Sequence, residues 1–120
     1  MIDRSALDRL QEIVGDDPAD LLDLVETFLA DAPDILTGMA AGAADGNLGV
    51  VRRHAHSLTS TARDMGATTL ANLCAALEAD IKDGHDAGDL RVRVIAVQEE
   101  WSKAEEALQK EIARLGGTHS

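Results

Sequence analysis

The side chains with the most chemical capacity in this chain stand close together. His54 and His56 lie among Arg52, Arg53 and Arg63. A neutral imidazole is a nucleophile and a proton carrier near neutral pH. Arginine offers a planar fork of donors that fits a phosphoryl group. The apolar seam of this stretch runs through Ala55, Leu58 and Ala62. At about 100° per residue, His56 is turned roughly 120° from that seam, and His54 roughly 80° on the other flank. His56 therefore faces solvent. Its helical neighbours three and four positions away are Arg52, Arg53, Thr59 and Ser60, with Arg63 further along the same stripe. From Asn47 to Ala67 three arginines stand against the single Asp64, in a chain whose net charge is −11. An exposed ring on a locally basic stripe suits two tasks: receiving a phosphoryl group, or docking an acidic pocket.

The other candidates carry less. His54 and His56 are about 200° apart around a helix and cannot share a metal ion. His85 sits by a turn and His119 near the C-terminus, and neither completes a ligand set. Cys74 falls on an apolar seam and reads as a small core residue. Glu78 is more informative. If the segments on either side of Gly66-Ala67 form a helical hairpin, His56 and Glu78 stand equally far from Ala67. A carboxylate there can accept the proton of one ring nitrogen and leave the other free to attack. A solvated helix glutamate fits the same spacing.

Helices must position these groups, because the apolar spacing is helical almost throughout. A short first helix runs from about Asp3 to Val14 and stops at Gly15. Asp17 caps the second helix, and Pro18 fits its first position, where no amide donor is needed. That helix carries Leu21, Val25, Phe28, Ala32, Ile35 and Met39, with a bend expected at Pro33. Ala44-Asp45-Gly46-Asn47 is a turn. The third helix carries Leu48, Val51, Ala55, Leu58, Ala62 and Met65. The fourth carries Leu70, Leu73, Cys74, Leu77 and Ile81. The fifth carries Leu90, Val94, Val97, Trp101, Leu108, Ile112 and Leu115. Four long amphipathic helices with short connections predict an all-α fold: an antiparallel four-helix bundle with a short additional N-terminal helix. Residues 1–115 form one domain in this reading, and 116–120 a flexible tail.

Composition narrows the function. The 120 residues include 22 acidic and 11 basic side chains, and aromatics make up 2%. So few aromatics disfavour a β-sandwich or barrel. The acidic balance argues against nucleic acid and anionic lipid as partners. No window of 18 apolar residues predicts a membrane span. A single cysteine and an apolar-poor start point to the cytoplasm. Neither Gly-x-x-x-x-Gly-Lys nor Gly-x-Gly-x-x-Gly occurs, so ATP binding by this chain is not expected.

The run His54-Ala55-His56-Ser57-Leu58-Thr59-Ser60-Thr61-Ala62-Arg63-Asp64-Met65-Gly66-Ala67 resembles the signature of histidine phosphotransfer (HPt) domains of bacterial phosphorelays. That pattern runs Ala-His-x-Leu-Lys-Gly, two small residues, then an apolar-Gly-Ala turn. Leu70, Leu73, Cys74, Leu77 and Glu78 continue the likeness, as do Asp17-Pro18 to Phe28 and Ala32-Pro33. The resemblance implies a carrier phosphorylated on His56, with Glu78 bonding the ring. It implies a response-regulator receiver domain and a sensor histidine kinase as partners, steered by Arg52, Arg53 and Arg63. It also implies no cofactor of the chain's own, with Mg²⁺ on the receiver, and a monomer. Thr59 replaces the family's Lys and Ser60 its Gly. Those two departures favour the alternative, a docking module that regulates a receiver or kinase without being phosphorylated.

Overall fold

Asp17 and Pro18 start the element that sets the length of the molecule. In this computed structural model, which describes residues 2–13, 15, 17–84 and 88–115, the Asp17 carboxylate accepts the Ala19 amide at 2.9 Å. Pro18 occupies the first helical position, and the helix runs 28 residues, Pro18–Asp45. We number the elements α1 (Arg4–Ile13), α2 (Pro18–Asp45), α3 (Leu48–Asp64), α4 (Thr68–Lys82) and α5 (Leu90–Arg114). At 1.5 Å per residue α2 spans about 42 Å, which matches the 43 Å long axis of the molecule. It is continuous through Pro33, whose carbonyl accepts the Thr37 hydroxyl at 2.9 Å.

The described residues are all helix and connection. The chain reverses after α2 at Gly46, which has a φ of 67°, and the Asn47 side chain accepts the Val50 amide to start α3. α3 packs on both α2 and α4, and α5 closes against α2 and α4. α1 lies against α2 and α3. The core between them contains Val25, Phe28, Ala32 and Met39 of α2, with Val51, Ala55, Leu58 and Ala62 of α3. Leu70, Cys74 and Leu77 come from α4, and Val94, Val97, Trp101 and Leu108 from α5. The Phe28 and Trp101 rings meet edge to face at 5.3 Å, an arrangement the ring quadrupoles favour.

The burial pattern departs from the expected seams in particular places. Leu36 is buried and Ile35 half-buried, because the helical period of 3.6 drifts away from a strict 4-3 alternation. Leu48, the first residue of α3, is 48% exposed. Ala104 and Glu111 are buried although neither belongs to the expected α5 seam. Glu111 is tolerated because Arg4 of α1 grips both its carboxylate oxygens and Arg114 binds one at 2.5 and 2.8 Å. Val14, His85, His119 and the 116–120 segment lie outside the described residues.

Candidate functional site

The α3–α4 turn is built by Gly66. Its φ is 78°, in the region that glycine enters without steric cost. Its carbonyl accepts the Asp3 amide at 2.7 Å, so the chain entering α1 lies directly against the turn. A Cβ at Gly66 would sit 2.5 Å from the Asp3 carbonyl oxygen. With the turn fixed at three residues, Met65 to Ala67, α4 must run back along α3.

That return brings Glu78 to His56. The His56 Nδ1 lies 2.7 Å from Glu78 Oε2. An ionised carboxylate only accepts, so Nδ1 is the donor in this pair, and in a neutral ring the free lone pair is on Nε2. The His56 side chain is 69% exposed and that of Glu78 20%. The ring is therefore anchored on one nitrogen and open to solvent on the other. His54 has a different place. It is half-buried against α2, where Gly38 leaves room for it: a Cβ at Gly38 would be 2.5 Å from the His54 Nε2.

An open cavity of about 470 Å³ lies beside the His56–Glu78 pair, lined also by Gly49, Arg52, Arg53 and Lys82. Arg52 and Arg53 thus gather where the stripe predicts. Arg63 is exposed but does not line this cavity. Lys82 belongs to the site and was not expected from the sequence. Its signal is the hairpin symmetry already used for Glu78: Lys82 and Arg52 stand equally far from Ala67.

Thr59 corrects an expectation. It was placed on the exposed stripe, yet it is 7% exposed, and its hydroxyl donates to the Ala55 carbonyl at 2.7 Å. Thr59 is about 60° from His56 toward the seam, on the flank that α4 covers. Ser60, on the other side of the stripe, is exposed. A second groove, of about 290 Å³, runs between α1, α2 and α3 past Ser57, with Leu24, Phe28 and Ile35 in its wall.

Cys74 is fully buried, and burial pushes its thiol up to about 12. It is a poor nucleophile there. Among the described residues no group of three His, Cys, Asp or Glu side chains could hold a metal ion. No helix among them is long and apolar enough to cross a membrane.

Residues 23–118 match the family described as Hpt domain. No curated protein matches the chain. Among solved structures, the chain is similar to histidine-containing phosphotransfer protein B (HptB) from Pseudomonas aeruginosa PAO1. The two share 26% identity, with 94% of this chain and 95% of that one covered and a TM-score of 0.83.

Proposed function

Since the chain belongs to the Hpt domain family and is a phosphorelay histidine phosphotransfer carrier, we propose that His56 is its phosphoryl-accepting residue, with Nε2 as the attacking atom. The observation that carries this reading is the Nδ1 bond to Glu78 at 2.7 Å on a ring that is 69% exposed. Glu78 holds the tautomer and the ring plane. Nε2 then presents its lone pair in line with an incoming phosphorus. Phosphoryl transfer asks mainly for such positioning, with charge on the equatorial oxygens supplied in the transition state by the receiver's metal site.

Proteins of this family work with receiver domains and kinases. For this chain we take the partners to be an aspartyl-phosphate receiver and a sensor histidine kinase. The acceptor Asp and its Mg²⁺ belong to the receiver in this scheme, and this chain supplies the imidazole. The basic side chains beside His56 favour an acidic receiver pocket, and the groove past Ser57 offers apolar contact next to it. The cyclic contacts of α2, α3, α4 and α5 support an antiparallel four-helix bundle with α1 as its cap. A single domain over 1–115, a monomer and a cytoplasmic location complete the proposal.

The test is labelling of the chain by a panel of phosphorylated receivers from the same source. An acid-labile, base-stable label should appear in the parent and in His54→Gln, and vanish in His56→Gln with helical content unchanged. A His54→Gln variant that goes dark while His56→Gln stays labelled would move the site to His54. A parent that binds receivers but takes no label would make the chain a docking module.

A further inference from the structure

We infer that Lys82, together with Arg52, holds the oxygens of the phosphoryl group carried on His56 and so sets how long this chain stores it. The inference rests on His56 being the carrier residue and goes beyond it by assigning the cation. Thr59 cannot supply one, being neutral and buried with its hydroxyl on the Ala55 carbonyl. The charge has to come from elsewhere around the ring.

Lys82 is the one residue of α4 besides Glu78 that lines the cavity beside His56. It sits one turn beyond Glu78 on the same face of α4, as Arg52 sits one turn before His56 on α3. Because the helices run in opposite directions, the two cations stand level across the groove. The spacing of Glu78 and Lys82 normally favours an ion pair along the helix. Here the Glu78 carboxylate turns to His56 instead, and among the described residues Lys82, Arg52 and Arg53 form no ion pair. Arg4, Arg93, Lys103, Lys110 and Arg114 are all paired, and Arg9, Arg63 and Arg91, which form no ion pair among the described residues either, do not line this cavity. In a chain of net charge −11, uncommitted cations on one cavity are a binding surface for an oxyanion.

The transfer step states what they do. The Nε2 lone pair attacks phosphorus, and the Nε2–P bond forms as the bond from phosphorus to the donor aspartyl oxygen breaks. That bonding pair leaves on the donor carboxylate. The Nδ1 proton stays on the ring, donated to Glu78. Loss of the phosphoryl group to water passes through a loose, metaphosphate-like state: the Nε2–P bonding pair returns to the ring as water's oxygen takes the phosphorus, so the three oxygens carry less negative charge than before. Cations touching those oxygens therefore stabilise the carried group more than the state that loses it, and storage lengthens.

Phosphoramidate labels the full chain without any partner, and ³¹P NMR then follows the phosphohistidine. Lys82→Gln should shorten its half-life roughly two- to fivefold, the scale of one exposed charge contact. Lys82→Arg should retain the parent value, and added salt should bring the parent toward Lys82→Gln. A labelled parent whose half-life is unchanged in Lys82→Gln overturns the inference. So does a Lys82→Arg variant as short-lived as Lys82→Gln, because the effect would not be one of charge. A parent that takes no label on His56 instead overturns the carrier assignment itself.

Discussion

His56 and Glu78 are 22 residues apart in sequence and 2.7 Å apart in the structure. The bond fixes which ring nitrogen is protonated, which makes it testable without any partner. Nitrogen-15 NMR of the imidazole should find the neutral ring of the parent protonated on Nδ1, and a mixture of tautomers in Glu78→Ala. Transfer from a phosphorylated receiver should slow roughly tenfold in that variant, the lower end of losses from removing an orienting partner. Receiver affinity should hold. A parent ring protonated on Nε2 would leave Glu78 as an ordinary surface carboxylate.

Thr59 and Ser60 separate in consequence because one is buried and the other exposed. A lysine at 59 must run its stem up the α3–α4 flank to bring its ammonium to the rim. With Lys82 and Arg52 in place, Thr59→Lys should change the phosphohistidine half-life less than twofold. In a Lys82→Gln background it should restore most of the loss. Ser60→Gly should open the surface beside the ring and widen the range of receivers accepted, at a helix cost of about 0.5 kcal/mol. If Thr59→Lys alone lengthens storage tenfold, the native cavity lacks its cation.

Gly66 answers for the hairpin that unites the site. An alanine there meets a φ of 78° and a Cβ position 2.5 Å from the Asp3 carbonyl oxygen. The combined strain should cost about 2 kcal/mol, or roughly 10 °C in Tm. Thermal unfolding measures it. A loss under 2 °C would mean the N-terminal contact yields freely.

Glu111 ties both ends of the chain together and gives stability a pH dependence. Burial pushes its carboxyl up, but the Arg4 and Arg114 bonds outweigh burial and hold it below its ordinary 4.5. A group lowered on folding stabilises above its unfolded value, and the contribution fades as pH falls through the folded value. Glu111→Gln should therefore be about 1–2 kcal/mol less stable at pH 7, a figure tempered by the half-exposed Arg4. The gap should narrow below about pH 4.5. Urea unfolding of both proteins at pH 7 and pH 3 checks it. An equal gap at both values would mean the contact is packing rather than charge.

Sequence determined the local part of this protein because helix signals are local. Asp17-Pro18 and Gly46-Asn47 declare a start and a reversal by their own backbone chemistry. The exposure of His56 follows from its angle to its own seam. Even the Glu78 contact is legible, since a hairpin with a short turn pairs residues at equal distances from it. What the tertiary structure decided lies on the flanks and at long range. A residue 60–90° from a seam is buried or exposed according to how far the neighbouring helix leans over it. Thr59 is covered, and His54 is received into the space left by Gly38. The burial of Glu111 is not legible from its own helix because its partner Arg4 is 107 residues away, and no periodicity along one helix carries information about a second helix docked against it. Lys82 obeys the same equal-distance rule as Glu78, since it stands as far from Ala67 as Arg52 does, but that rule does not say which side chains around the ring stay unpaired, and only the packed structure shows Lys82 on the cavity beside a Glu78 that bonds His56.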